Sequence, residues 1–119
     1  MGNNFGVAGG IGETQEMLSR LRRIVTDNGL IIATTRNPLV TDNPRHLSYH
    51  ERNRRRGLPP GLVTIRLEFR SEVGPWFDLL FVTPEEMAQI IEPAGWRIER
   101  LYKADGGGGG NYAAILTKK

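Results

Sequence analysis

Three groups of side chains in this sequence have the types and spacing that chemistry needs. The first is Asn3-Asn4-Phe5-Gly6, inside a stretch (residues 2–12) in which five of eleven residues are glycine. Asparagine offers donors and acceptors, and glycine lets backbone approach a ligand closely. The nearest nucleotide pattern is Gly10-Ile11-Gly12, but Gln15 stands where a third glycine is needed, and no Gly-Lys-Ser/Thr occurs. Neither a dinucleotide fingerprint nor a P-loop is expected. The second group is Thr34-Thr35-Arg36-Asn37-Pro38, directly after the apolar run Leu30-Ile31-Ile32-Ala33. Ligands of open α/β sheets bind just beyond the carboxyl ends of the strands. The third group lies between residues 36 and 70, where eight arginines face only Asp42, Glu51 and Glu68. That local excess of +5 sits in a chain of net charge +3. It suits either an anionic partner or a solvated helix face. His46 and His50 are four residues apart, but a metal site needs a third ligand, so none is expected. Ser19, Ser48 and Ser71 lack a nucleophile-elbow context, and no catalytic residue is assigned.

The elements that must position these groups follow from pattern. Met17, Leu18, Leu21, Ile24 and Val25 form one helical stripe, predicting a helix over Glu13–Asn28 stopped at Asn28-Gly29. Leu30–Thr35 then reads as a strand covered on both faces, since its apolar run has no polar alternation. Asn43-Pro44 is a helix start, and Gly57 a stop, with few apolar residues between them. Residues 62–70 alternate cleanly and predict a half-exposed strand, paired in a hairpin with a more buried strand over Trp76–Val82. Asp78 in that second run needs a partner or an outward position. Thr83-Pro84-Glu85-Glu86 matches a capping box, opening a helix that runs to Ala94 with Met87, Ile90 and Ile91 inward. Trp96–Ala104 and Tyr112–Lys118 predict an antiparallel pair, joined by a flexible glycine linker.

With 119 residues the chain fits a single domain, 1–119, with one real core. It contains no cysteine, hence no disulfide, thiolate metal site or cysteine nucleophile, which fits a cytoplasmic protein. No apolar run approaches the roughly 20 residues of a membrane helix, and no membrane partner is expected.

This order of elements resembles the C-terminal half of a class I S-adenosylmethionine-dependent methyltransferase. Gly2-Asn3-Asn4-Phe5-Gly6 looks like the loop after that family's fourth strand. Leu21-Arg22-Arg23-Ile24-Val25 with Asp27-Asn28-Gly29-Leu30-Ile31-Ile32-Ala33 looks like the next helix and the fifth strand. Thr83–Met87 through Ala94-Gly95-Trp96 looks like the following helix and the sixth strand, and Tyr112–Leu116 like the seventh. The implied fold is α/β: a partial Rossmann-like sheet of strands five, six and seven, the last antiparallel, with flanking helices and an inserted antiparallel hairpin. The family's glycine-rich cofactor turn and its ribose-binding acid belong to the first half, and the sequence reads as beginning inside a larger fold.

The resemblance implies S-adenosylmethionine as cofactor, with Gly2, Asn3, Asn4, Phe5 and Gly6 bordering it. It makes residues 36–75 a substrate-side excursion, with Arg36, Asn37, Tyr49 and Arg52 receiving a small-molecule or anionic substrate. Methyl transfer is mainly positioning, because the sulfonium is already activated. The chain is expected to be an incomplete methyltransferase, inactive without an N-terminal cofactor-binding half supplied by another chain. It is also expected to self-associate, as a homo-oligomer, through its unfilled sheet edge. An alternative is a small basic module for nucleic acid or another polyanion. It is less favoured because only Tyr49 is interleaved with the arginines as a stacking surface. A further alternative is a structural or partner-binding remnant.

Overall fold

The computed structural model describes residues 3–41, 43–103 and 110–119. Helix α1 covers Ile11–Ile24 and strand β1 Leu30–Arg36. Helix α2 covers Pro44–Arg55, followed by strands β2 Leu62–Ile65, β3 Glu68–Phe69, β4 Glu72–Val73 and β5 Phe77–Leu80. Helix α3, Pro84–Ile91, leads into β6 Trp96–Lys103 and β7 Asn111–Lys118. The glycine linker expected at 105–111 lies outside the described residues except for Gly110 and Asn111.

β7 sits between β1 and β6 and is antiparallel to both, so β1 and β6 run parallel. This is the partial Rossmann-like sheet with an antiparallel last strand that the sequence implied. Tyr112, Ala114 and Leu116 point from β7 to the side of the sheet that carries the core, opposite Thr35, Ala33 and Ile31 of β1. α1 and α3 cover that side, contributing Leu18, Met87, Ile90 and Ile91. Two polar atoms inside the core find backbone partners. The Trp96 indole N–H donates to the Leu18 carbonyl at 2.9 Å, and the Tyr112 hydroxyl to the Val82 carbonyl at 2.6 Å. Burial, with Glu86 and then Glu85 nearby, pushes the Tyr112 phenol well above its ordinary range, so it stays a donor.

The capping box is present in full: Glu86 N–H donates to Thr83 Oγ1 at 3.1 Å, and Thr83 N–H to Glu86 Oε1 at 2.9 Å. Asn43 caps α2 as expected, accepting from Arg45 N–H at 2.9 Å.

Several expectations are corrected. α1 ends at Ile24 and not at Asn28, since the β-branched run Ile24-Val25-Thr26 disfavours helix, and Gly29 closes a turn onto Thr26. Ile24 is therefore exposed and not part of the buried stripe. α3 stops at Ile91, ahead of Ala94. The strand predicted over 62–70 breaks after Ile65, because the hairpin there leaves the core. Leu67 and Phe69 are exposed, and Arg66 turns to Glu68 at 2.8 Å. Trp76 and Phe77 are exposed too, leaving Leu80 as the buried end of β5. Asp78 points outward and accepts from the Thr64 hydroxyl at 2.7 Å.

The largest correction concerns β1. Leu30 is 51% and Ile32 58% exposed, so this strand is covered on one face only. Its register places Ile32 beside Ile115, Thr34 beside Ala113, and Leu30 beside Thr117. On β6 the register shift between Ile98 and Arg100 keeps Arg97, Arg100 and Tyr102 on this same side.

Thr35 Oγ1 is buried without a hydrogen-bond partner among the described residues. Thr35→Val keeps the branched shape and removes the unmatched hydroxyl. We expect it to hold or raise stability by about 1 kcal/mol. A fall in thermal midpoint would reveal a partner for that oxygen.

Candidate functional site

Residues 3–6 are placed by bonds to two strands. Asn3 Nδ2 donates to the Leu80 carbonyl at 2.9 Å, and Asn3 Oδ1 accepts from Gly6 N–H at 2.9 Å. Leu80 N–H donates to the Gly6 carbonyl at 3.1 Å. Asn4 behaves like a short strand residue against the outer edge of β1. Its Oδ1 accepts from Thr34 N–H at 2.7 Å, and its Nδ2 donates to the Ile32 carbonyl at 2.9 Å. That edge, expected to be open, is thus occupied at Ile32–Thr34. Phe5 donates its N–H to the Thr34 carbonyl at 3.2 Å and sinks its ring into the core, 2% exposed. Both asparagine side chains are therefore engaged in holding the loop, and Phe5 is a core residue. Gly2 lies outside the described residues.

A cavity of about 220 Å³ lies at the carboxyl end of β1, lined by none of residues 3–6. α2 forms one side of it, and Gly61, Val63 and Phe81, around the start of β2 and just after β5, form the other. Asn53, buried on α2, fixes the connection by reaching the carbonyls of Pro59 and Pro60 at 3.1 Å and Leu62 at 2.8 Å. Phe81 N–H donates to the Gly61 carbonyl at 2.8 Å, drawing the two strands together at the cavity wall.

Of the four residues expected to meet a substrate, Arg36 and Tyr49 line this cavity, and Asn37 and Arg52 do not. Asn37 closes a turn, accepting from Leu39 N–H at 2.9 Å and donating its own N–H to the Gly110 carbonyl. Arg52 lies over the outer face of the Tyr49 ring, 5.7 Å from its centre. Thr41, His46 and His50 complete the polar lining, with Val63 and Phe81 among the apolar walls. The histidine spacing was legible, and it places both rings on the wall of this cavity. Among the described residues no group of three metal-ligating side chains forms.

His50 is buried, and this burial, then the Arg54 charge, then His46, lowers its pKa from the ordinary 6.5. It is therefore neutral at pH 7. Neither of its ring nitrogens has a partner among the described residues, whereas His46 Nδ1 shares a 2.9 Å bond with Thr41 Oγ1. With the folded pKa below the unfolded one, the unfolded chain binds the proton first as pH falls through about 6.5. Stability is present in full above that pH and declines below it, toward the folded pKa. Thermal midpoints between pH 7.5 and 5.5 should fall more steeply for the wild type than for His50→Gln. Parallel curves would show that His50 is not held neutral.

The arginines elsewhere are partly matched. Glu51 meets Arg55 at 3.5 Å and Arg54 at 3.8 Å, all largely exposed. Contrary to the expectation of little interleaving, Arg66 stacks on Trp76 at 4.7 Å and Arg70 on Phe69 at 5.3 Å, at the exposed hairpin end.

This architecture, a β1-β7-β6 sheet end with α1 and α3 on one face, is that of part of a methyltransferase fold. A methyltransferase from Bacteroides fragilis, described as S-adenosylmethionine-dependent and solved with S-adenosyl-L-homocysteine, superposes with a TM-score of 0.70 at 16% identity. The match covers 99% of this chain and 45% of that one. The CcbJ methyltransferase from Streptomyces caelestis gives a TM-score of 0.61 at 10% identity, covering 98% of this chain and 54% of that one. The chain thus spans about half the length of these solved structures. No family model and no curated protein matches the sequence.

Proposed function

We propose that this chain is the substrate-side half of an S-adenosylmethionine-dependent methyltransferase, inactive until a cofactor-binding half covers its open sheet face. The observation that carries this reading is the mismatch between the sequence of β1 and its surroundings. Leu30-Ile31-Ile32-Ala33 is written for burial on both sides, yet Leu30, Ile32 and, on β6, Tyr102 stand open on the side away from the helices. Burying each large apolar side chain there would contribute roughly 1.5–3 kcal/mol. The covering half can belong to the same polypeptide or to another.

Residues 3–6 carry no charged side chain, and both of their asparagine amides are bonded within the fold. They can border the methyl end of the cofactor but cannot hold its ribose or carboxylate. When bound, S-adenosylmethionine supplies an activated methyl group. This chain's part is to place an acceptor at the end of β1 and exclude water around it.

The test is an amide NMR titration of the chain with S-adenosyl-L-homocysteine, alongside a methyl-transfer assay. Weak, millimolar shifts confined to Asn3–Gly6 and Thr34–Asn37, without turnover, are expected. Micromolar affinity or turnover by this chain alone would overturn the claim of incompleteness. Absence of any shift at those residues would overturn their place in the cofactor site. Self-association through the open face is also expected, and Ile32→Lys should shift sedimentation to monomer.

A further inference from the structure

The cavity at the end of β1 has a chemistry of its own. A cavity of about 150 Å³ accepts a benzene ring, so its roughly 220 Å³ holds one ring with small substituents. Among the described residues, none that lines it is acidic. Val63 and Phe81 offer apolar wall. The Arg36 guanidinium has no ion pair or hydrogen bond among the described residues, so its five donors remain available to a planar anion. The Tyr49 hydroxyl accepts from Thr64 N–H at 3.2 Å, which leaves its own proton free to donate. His50 presents a neutral ring without a partner among the described residues.

We infer that this cavity binds a small hydroxylated carboxylic acid of about one ring, carboxylate on Arg36, apolar body between Val63 and Phe81, and hydroxyl on His50. A carboxylate and a guanidinium pair in a two-pronged, charge-assisted fashion that a lysine or an amide would not match. The neutral imidazole accepts from the ligand's hydroxyl, which it could not do if charged. Where the methyltransferase reading holds, this acid is the methyl acceptor. The inference rests on that reading for the acceptor role only, because Arg36, Val63, Phe81 and His50 all belong to this chain.

The experiment is an amide and histidine-ring NMR titration of the whole chain with 4-hydroxybenzoate, and in parallel with 4-hydroxybenzamide, without cofactor. Saturable shifts at Val63, Phe81 and the His50 ring are expected with the acid. The amide should bind about tenfold more weakly, a difference of about 1.4 kcal/mol. Arg36→Gln, on an exposed residue, should weaken the acid by about the same factor. Equal affinity for acid and amide, or no saturable shift at about 10 mM acid, would overturn the inference. Because no cofactor is present, failure of the methyltransferase reading leaves this result unaffected, and the reverse also holds.

Discussion

Gly6→Ala is expected to destabilise the fold by roughly 3 kcal/mol, a large share of the roughly 5–15 kcal/mol typical of a small domain. The reason is a backbone approach and not a special torsion. A Cβ at Gly6 would overlap the Leu80 carbonyl, which is main chain and cannot rotate away. Either the loop or β5 must move. Movement breaks the Leu80 N–H bond to Gly6 and the Asn3 amide bond to Leu80, each worth about 1 kcal/mol. It also lifts Phe5 out of the core. On the other side of the same segment Gly61 meets the Phe81 carbonyl as closely, so the end of β5 is gripped between two glycines. Gly12→Ala is the control. It lies in α1 with nothing near its added methyl, and alanine there should stabilise by about 0.5–1 kcal/mol. Urea midpoints read both. If Gly6→Ala unfolds at the wild-type midpoint, the packing of loop 3–6 against β5 is wrong.

Features set by neighbours in sequence were legible, and features set across space were not. The Thr83–Glu86 capping box and the Asn43-Pro44 helix start depend on three or four consecutive residues, and both formed as read. The β6–β7 pairing followed from two strand patterns flanking a glycine run. By contrast, the alternation over 62–70 promised one strand. Alternation marks a half-buried strand only where something covers the apolar side, and beyond Ile65 nothing among the described residues does so. The run in β1 read as buried on both faces, but burial depends on what packs across space, and among the described residues only the helix side is covered.

The site was half legible for the same reason. Arg36 follows directly from its position at the end of an apolar strand, and Tyr49 from being the aromatic among the helix arginines. His50 was visible but was given no role, since its place depends on a cavity wall supplied by Val63 and Phe81, later in the sequence. Asn53 left no signal. Its side chain matters because three carbonyls of the Pro59–Leu62 bend converge on it, and that bend exists only once α2 and β2 are placed.

The two tryptophans should behave oppositely, because one joins the layers of the fold and the other rides on the hairpin. Trp96 has no exposed surface, fills the space between α1 and β6, and bonds to the Leu18 carbonyl. Trp96→Ala should cost about 3–5 kcal/mol through the cavity it leaves. Trp96→Phe keeps much of the volume and removes one hydrogen bond to a carbonyl that α1 already satisfies, for a cost of about 1 kcal/mol. Trp76 is 62% exposed, with Arg66 stacked on its ring. An exposed cation–π pair contributes about 0.5–1 kcal/mol, so Trp76→Ala should change stability by no more than that. Fluorescence separates them without relying on stability. Acrylamide should quench the emission remaining in Trp96→Phe, which comes from Trp76, and barely touch that of Trp76→Ala. Among the described residues, the core between α1, α3 and the sheet is the one cluster of buried apolar side chains. A Trp96→Ala protein that folds normally would therefore place the stabilising interior elsewhere, and with it the basis for reading the opposite sheet face as the unfinished one.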